Sequence, residues 1–305
     1  MTRLAQAAAR AGFNKIVITG GEPLAHPRRI DLLDALARLR LEFKQVQVVL
    51  RTNLAYPLIP ELTKRLAHSS DQVVVSIDGD EACHVARRGS GTYARTLENL
   101  RLLLASKPTA EISVSATLTA EQSSGVQGDA VRSLGESLGV KVRIKSILPV
   151  GRGLELGLTP AYYNSLDENT EALSAGAGLT ASCGLGMNLY IGPRGECYPC
   201  YALMGSKHRL GNALEEGLAS VLKRNGPYRQ ITVDSNTQCQ ICALRYLCGG
   251  FCRAWSSNGN PNSSPRDCSA LQLRAYASML GALETLDVPL ERWQAAGLPD
   301  LKYSP

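Results

Sequence analysis

Long apolar runs and a secretory signal are both missing from this sequence. None of the apolar runs in its 305 residues approaches the roughly eighteen consecutive residues that a transmembrane helix needs. Residues 1–19 also lack the apolar block and the cleavage site of a signal peptide. These absences predict a cytoplasmic protein without a membrane partner, and structural disulfides are uncommon in that reducing compartment.

Aromatic residues and dense charge of one sign are scarce as well. Aromatics make up 5% of the chain, and the formal net charge of +6 is spread along it. Nucleic-acid binding needs a concentrated basic surface and usually aromatics on which bases stack, so the composition predicts no nucleic-acid partner. With 44% apolar residues the chain can bury a core, which indicates a globular protein of one large domain or two ordinary ones.

Short β-branched runs alternate with amphipathic helical segments through the first half of the chain. The runs are Lys15–Thr19, Val46–Thr52, Gln72–Ser76, Glu111–Thr117 and Lys141–Leu148. Between the first two, the segment Arg28–Leu41 spaces its leucines three to four residues apart, as one buried helix face requires. This alternation predicts parallel strands joined by right-handed crossovers, and therefore an α/β fold with either a barrel or an open sheet.

Glycine and polar residues follow the predicted strands, where α/β proteins bind their ligands. The four segments are Thr19-Gly20-Gly21-Glu22-Pro23, Arg51-Thr52-Asn53, Ser76-Ile77-Asp78-Gly79 and Pro149-Val150-Gly151-Arg152-Gly153. Each segment alone is also typical of an ordinary turn. Four of them in order, each at the end of a strand, predict a shared ligand site.

Eight of the nine cysteines fall in the second half of the chain. They are Cys183, Cys197, Cys200, Cys239, Cys242, Cys248, Cys252 and Cys268. Eight thiolates are the number that ligates two [4Fe–4S] clusters, and equally two zinc ions. The continuation Cys-x5-Cys-x3-Cys after Cys242 departs from the paired Cys-x2-Cys knuckles of zinc ribbons, but spacing alone leaves both metals open. Cys83 stands apart and is interpreted as a small apolar filler.

Two groups of motifs resemble radical S-adenosylmethionine (SAM) enzymes that carry a SPASM domain. Gly20-Gly21-Glu22-Pro23 resembles the motif that closes the second strand of a partial six-stranded barrel in that family. Cys183, Gly195-x4-Cys200, the quartet from Cys239 to Cys252, and Cys268 resemble the cysteine order of SPASM domains. The resemblance spans residues 12–270 or so and favours iron–sulfur clusters over zinc.

The resemblance implies SAM as a cofactor and places a SAM site at the strand ends. Its predicted residues are Gly20, Gly21, Glu22, Pro23, Thr52, Asn53, Ser76, Asp78 and Arg88. Backbone carbonyls and Glu22 would receive the methionyl ammonium group, and Ser76 and Asp78 would lie beside the ribose or the carboxylate. Arg88 would pair with the SAM carboxylate, with a surface arginine as the alternative.

The resemblance also implies two auxiliary [4Fe–4S] clusters. One is expected to bind Cys239, Cys242, Cys248 and Cys268. The other is expected to bind Cys183, Cys200 and Cys252, with Cys197 as its fourth ligand. A Cys197 side chain that points into an apolar core would argue against that fourth assignment.

By the same resemblance, the chain is an enzyme that uses a 5′-deoxyadenosyl radical to modify a peptide or protein side chain. The implied partners are a ribosomally made precursor peptide and reduced flavodoxin or ferredoxin as the electron donor. Tyr201 follows Cys200 where sulfatase-maturing relatives have an aspartate base, and a phenol with a pKa of about 10 does not replace a carboxylate. Sulfatase maturation is therefore disfavoured. The alternative is an iron–sulfur protein for electron relay or peptide binding, without radical activity.

The expected organisation is a radical SAM partial barrel over 1–155, a linker over 156–180, a SPASM domain over 181–270 and a helical tail over 271–305. The Cys-x3-Cys-x2-Cys segment that holds the catalytic cluster in this family does not precede Gly20. The first strand of the barrel, expected before the opening helix Thr2–Ala11, is also missing. We therefore expect a chain that is truncated at its amino terminus and does not cleave SAM, with a degenerate enzyme as the rival interpretation.

Overall fold

The protein is seen here as a computed structural model, which describes residues 2–147, 185–242 and 245. Five parallel strands form one sheet in the order β1-β2-β3-β4-β5. They are β1 Lys15–Ile18, β2 Gln47–Thr52, β3 Gln72–Ser76, β4 Glu111–Leu118 and β5 Lys141–Ser146. The predicted α/β architecture is confirmed, and each predicted strand agrees with its observed bounds to within two residues.

One helix precedes β1, and the others connect successive strands of this sheet. They are α1 Thr2–Arg10, α2 Arg29–Glu42, α3 Pro60–Ser69, α4 Glu81–Arg88, α5 Thr92–Ala105, α6 Ala120–Ser124 and α7 Val126–Leu138. In α2 the leucines 33, 36 and 39 are buried, as the spacing of the apolar residues predicts.

Alternate residues of each strand enter one hydrophobic core, and we call this face of the sheet the outer face. Leu50 of β2, Val75 of β3 and Val114 of β4 belong to that core and are fully buried. Residues from α1, α2, α3, α5 and α7 complete the same core, so these helices pack on one face of the sheet. Helices on one face, with strands in sequential order, are the arrangement of a partial barrel and not of a doubly wound sheet.

The opposite face, which we call the inner face, is much more polar. Its residues are Lys15 and Val17 on β1, Gln47, Val49 and Arg51 on β2, Gln72, Val74 and Ser76 on β3, Glu111, Ser113, Ser115 and Thr117 on β4, and Lys141, Arg143 and Lys145 on β5. Side chains alternate strictly between the two faces of a strand, so burial of the outer set fixes this inner set.

A small three-stranded sheet follows in the described residues after 184. Its strands are β6 Tyr190–Ile191, β7 Glu196–Tyr198 and β8 Gly211–Asn212, and the helices α8 Leu218–Arg229 and α9 Thr237–Gln240 come after it. Asn212 organises the turn beside β8, because its Oδ1 accepts from Leu214 N at 2.9 Å and its Nδ2 donates to Arg194 O at 3.0 Å.

The described residues divide into two compact units. Residues 2–147, 191–198 and 209–224 belong to the first, and residues 185–190, 199–208, 225–242 and 245 belong to the second. In the second unit Leu185 and Leu203 form a small core with Tyr228 and Ile231. The predicted domain boundaries near 155, 180 and 270 lie outside the described residues, as does the segment Pro149–Gly153. Within the described ranges, no helix combines the length and hydropathy needed to span a bilayer.

We expect Asp80→Ala to lower the free energy of unfolding at pH 7 by about 1 kcal/mol, the usual cost of losing an N-cap. Asp80 caps α4, since its Oδ1 accepts from Cys83 N at 2.8 Å and its Oδ2 from Gln127 Nε2 at 3.0 Å. The first of these bonds, and then the second, lowers the pKa of Asp80. The stabilisation is therefore present above the ordinary aspartate pKa of about 4 and is lost as the pH falls through the lower folded value.

Urea unfolding of wild type and variant between pH 7 and pH 3 measures this difference. Asp129→Ala is the matched control, because that carboxylate makes only an exposed pair with Arg132 on the same helix. A gap between wild type and Asp80→Ala that stays constant down to pH 3 would contradict the capping role.

Candidate functional site

The carboxylate of Glu22 joins the ends of β1 and β2. Its Oε1 accepts from Leu24 N at 3.0 Å and from Thr52 Oγ1 at 2.6 Å, and its Oε2 accepts from Asn53 N at 2.6 Å. A carboxylate offers about four lone-pair positions, so Oε2 retains the capacity for one more donor. The Glu22 side chain thus both fixes the strand ends and keeps one acceptor position open.

Two exposed glycines precede this carboxylate. Gly20 and Gly21 have φ angles of +82° and +53°, a left-handed conformation that residues with a Cβ rarely adopt. A Cβ built on Gly21 would meet no atom within 4 Å, so the space above the backbone is open. Pro23, which begins a short 3-10 turn after Glu22, is buried. Exposed backbone next to a partly unsatisfied carboxylate fits the approach of a ligand that carries an ammonium group.

The loop after β2 is held by two buried polar residues of α5 that sequence reasoning missed. Asn99 Nδ2 donates to Leu54 O at 2.8 Å and to Tyr56 O at 2.7 Å, and Thr96 Oγ1 donates to Asn53 O at 2.8 Å. Leu54 itself has a φ of +55°, which is strained for a residue with a side chain. The sequence does contain a signal for this role: Thr96 and Asn99 are polar residues three apart on the buried face of a leucine-rich helix.

Asp78 and Arg88 form the second cluster, at the ends of β3 and β4. Asp78 Oδ2 accepts from Arg88 Nε at 2.7 Å, and its Oδ1 accepts from Thr117 N at 2.8 Å. The Asp78 side chain is only 4% exposed, so both bonds offset the cost of burying its charge. Arg88 is 28% exposed, and its two terminal Nη groups have no partner among the described residues.

His84 supports this ion pair from within α4. The ring is fully buried, and burial, followed by the nearby charge of Arg88, lowers its pKa. The neutral imidazole accepts from Asp78 N through Nδ1 at 3.3 Å, which places its proton on Nε2. His84 therefore fixes the backbone of the strand end from which the Asp78 carboxylate projects.

The structure thus brings the predicted SAM residues together in two groups. Glu22 contacts Thr52 and Asn53 directly, and Asp78 contacts Arg88. Ser76 lies on the inner face of β3, paired in register with Ser115 of β4. All of these segments follow the carboxyl ends of adjacent parallel strands, which lie along one edge of a sheet.

Two neighbouring cysteines of the second half differ in the chemistry around their sulfur atoms. Cys200 Sγ accepts from Ala202 N at 3.4 Å, a bond that suits a thiolate. Cys197 is fully buried, and its Sγ donates to Gly195 O at 3.2 Å. That contact requires the protonated thiol, and burial raises the pKa of Cys197 in the same direction.

Cys239 and Cys242 lie half-buried at and just after α9, where Cys242 N donates to Cys239 O at 3.0 Å. The five described cysteines form no disulfide, and no group of three or more potential ligands within the described ranges could hold a metal. Cys183, Cys248, Cys252 and Cys268 lie outside the described residues.

Two regions of the chain match models of known protein families. Residues 1–119 match the model of the radical SAM superfamily, and residues 183–245 match the model of an iron–sulfur cluster-binding domain, SPASM. The chain carries a radical SAM domain followed by a SPASM domain. These domains imply SAM and [4Fe–4S] clusters as cofactors, in agreement with the sequence-based prediction.

One similar curated protein is the serine-type anaerobic sulfatase-maturating enzyme of Klebsiella aerogenes. It is 29% identical over 129 residues, which cover 41% of this chain but only 30% of that protein. The matched stretch is therefore less than a third of the relative's length.

Solved structures of radical SAM proteins share the fold. The structure of anSMEcpe with bound AdoMet superimposes with a TM-score of 0.68 at 16% identity, covering 93% of this chain and 89% of that one. SuiB of Streptococcus suis bound to S-adenosylmethionine gives a TM-score of 0.61 at 17% identity, covering 88% of this chain and 68% of SuiB.

The described residues of the radical SAM domain fit the methionyl end of SAM. Glu22 Oε2 can accept one further bond next to the exposed backbone of Gly20 and Gly21, as an ammonium group requires. The Nη groups of Arg88, which have no partner among the described residues, suit a carboxylate. In the second half of the chain, Cys200 Sγ accepts a backbone hydrogen bond, whereas the buried Cys197 thiol donates one to a carbonyl.

We expect Asn99→Leu to destabilise the protein by about 2 kcal/mol, because it leaves the buried carbonyls of Leu54 and Tyr56 without a donor. Hydrogen exchange should speed up at the amides of residues 53–56 before it does so elsewhere in the sheet. Glu98→Gln, at the exposed adjacent position, is the control and should leave both quantities unchanged. Unchanged exchange at residues 53–56 in Asn99→Leu would show that Asn99 does not hold the loop.

Proposed function

We propose that this chain binds SAM at the carboxyl edge of its parallel sheet and belongs to an enzyme that modifies peptide or protein side chains. The observation that supports this most strongly is the Glu22 carboxylate, which fastens two strand ends and still keeps an acceptor position beside Gly20 and Gly21. When bound and reduced, SAM supplies a 5′-deoxyadenosyl radical that abstracts hydrogen.

In the proposed site Glu22 and the backbone of Gly20 and Gly21 hold the ammonium group, and Pro23 sets the turn that follows. Arg88 holds the carboxylate through its Nη groups while Asp78 keeps the guanidinium in place. Thr52 and Asn53 act through Glu22, since both donate to its carboxylate. Ser76 faces the ligand from the inner face of β3.

For the auxiliary clusters we propose seven cysteine ligands. Cys239, Cys242, Cys248 and Cys268 form one set, and Cys183, Cys200 and Cys252 form the other. Cys197 was the expected fourth ligand of the second set, but its buried thiol donates to Gly195 O, and we now propose that it packs inside the domain. Thiolate ligands are deprotonated, and an anionic sulfur next to a carbonyl oxygen would be repelled.

A peptide substrate is proposed because the structural neighbours include peptide complexes. These are anSMEcpe with AdoMet and a Kp18Cys peptide, and SuiB bound to its precursor peptide SuiA. Reduced flavodoxin or ferredoxin is proposed as the electron donor. Tyr201, half exposed directly after Cys200, continues to disfavour sulfatase maturation, because a phenol is a far weaker acid than the aspartate it replaces.

The sequence contains no Cys-x3-Cys-x2-Cys segment with which to hold a SAM-cleaving cluster. We therefore expect the 305-residue chain to bind SAM without releasing 5′-deoxyadenosine. This observation also keeps open the second candidate function, an iron–sulfur electron-relay or peptide-binding protein. SAM binding separates the two, since the second candidate has no use for the Glu22 site.

Glu22→Gln is expected to weaken SAM binding about tenfold or more, because an amide nitrogen cannot accept from Asn53 N or from an ammonium group. Isothermal titration calorimetry on the full chain with reconstituted clusters measures the affinity. Glu42→Gln is the control, because among the described residues that exposed carboxylate contacts only Gln6 and Arg10. Equal SAM affinity in wild type and Glu22→Gln would contradict the assigned site.

Cys200→Ser should remove the iron of one auxiliary cluster, about half of the iron bound by the reconstituted wild type, whereas Cys197→Ser should keep the wild-type content. Iron and sulfide analysis after anaerobic reconstitution measures both, and electron paramagnetic resonance identifies the cluster that is lost. Loss of iron from Cys197→Ser with its folding intact would restore Cys197 as a ligand.

A further inference from the structure

The last strand of the sheet carries two adjacent cations on the inner face. Val142 and Ile144 of β5 pack against the outer core, so Arg143 and Lys145 project from the opposite face. We call these two residues the β5 cation pair. Their register partners on β4 are Ser115 and Thr117, two small hydroxyl residues.

No carboxylate neutralises the β5 cation pair within the described part of the chain, where neither residue has an ion pair. Lys141, four residues before Lys145 on the same strand, does have a carboxylate partner. Its Nζ lies 2.8 Å from Glu111 Oε1 in an exposed ion pair. A carboxylate thus neutralises the positive charge at the amino end of β5. Among the described residues, none neutralises the positive charge at its carboxyl end, where the ligand site is proposed.

Other strands place further cations on the same face as Lys145. Arg51 of β2 and Lys15 of β1 project from the inner face, as the β5 cation pair does. Burial, followed by the charges of Arg51, Arg143 and Lys15, lowers the pKa of Lys145 to about 8.

This arrangement opposes folding, because like charges converge on a partly buried amine. Unfavourable clusters of charge that a fold retains are typical of binding sites, where a ligand of opposite charge compensates them. Small hydroxyl side chains opposite the cations leave room for such a ligand and offer further hydrogen bonds.

We propose that the β5 cation pair binds a carboxylate of the peptide substrate, so that the enzyme selects peptides with an aspartate or glutamate near the modified residue. The proposal rests on the peptide-modifying function proposed above. A carboxylate could also come from SAM. Arg88, at the end of β3, is the residue proposed above to hold that group.

The test uses the full chain and two fluorescein-labelled synthetic peptides of equal length, one with alternating Glu and Ala and one with alternating Gln and Ala. In fluorescence anisotropy the Glu peptide should bind wild type more tightly than the Gln peptide. The variant Arg143→Gln/Lys145→Met should bind the Glu peptide about tenfold to a hundredfold more weakly, as expected for charge-assisted hydrogen bonds, and the Gln peptide equally. Lys141→Met is the matched control and should change neither affinity by more than about twofold.

Equal binding of the two peptides by wild type, or no binding of the Glu peptide at millimolar concentration, would overturn the proposal. So would an equal loss in Lys141→Met, which would indicate nonspecific charge attraction. Calorimetry with SAM on the double variant distinguishes the two sources of the carboxylate. Unchanged SAM affinity supports a carboxylate of the peptide. Weaker SAM binding with unchanged binding of the Glu peptide would overturn the proposal. If Glu22→Gln left SAM binding unchanged and the wild type still preferred the Glu peptide, the result would contradict the proposed SAM site. It would leave the proposal for the β5 cation pair supported.

Replacing Lys145 with methionine removes a charge that the fold disfavours, so the double variant should unfold at the wild-type temperature or above it. Circular dichroism and thermal unfolding verify this before binding is measured. Lys145 provides a second readout that needs no variant. At pH 8 its amine should react with an acylating reagent faster than the exposed lysines do, and the Glu peptide should protect it. Acylation that is unaffected by the Glu peptide would count against the proposal.

Discussion

The strict alternation of strand side chains between an apolar outer face and a more polar inner face is the constraint on which the other features depend. Leu50 enters the core and Arg51 cannot, because consecutive side chains of a strand point to opposite faces. A register slip of one residue would move the arginine into the core and the leucine out of it, so the core itself fixes which residues face the ligand side. The serines of β3 and β4 and the cations of β5 share the inner face for this reason.

Two carboxylates then fix the carboxyl edge of the sheet. Glu22 joins β1 to β2, and Asp78 joins β3 to β4 and to α4. In both cases a backbone N–H at or directly after the end of a neighbouring strand donates to the carboxylate, which offsets the loss of hydration on burial. These bonds hold the carboxyl edge of the sheet in place without a ligand, and a preorganised edge loses less conformational entropy on binding.

Much of this organisation could be predicted from the sequence because it depends on local patterns. The β-branched runs gave the five strands, and the Gly-Gly-Glu-Pro and cysteine motifs pointed to the two family domains that the comparisons then matched. Contacts between residues distant in sequence could not be predicted. Asn99 reaches Leu54 across 45 residues, and the charge of Lys15 on β1 acts on Lys145 of β5. The hydrogen bond from Cys197 Sγ to Gly195 O could not be predicted either, because the spacing of cysteines does not report what a sulfur atom contacts.

The backbone conformation and the burial of Leu54 together limit which residues can occupy this position. Its backbone has a left-handed φ of +55°, which favours glycine or asparagine, while its side chain is fully buried in the main core, which favours leucine. Glycine would relieve the strain and open a cavity, whereas a β-branched residue would fill the cavity and worsen the strain. Few residues satisfy both demands, so position 54 should tolerate less variation among functional descendants of this sequence than the strand residues around it.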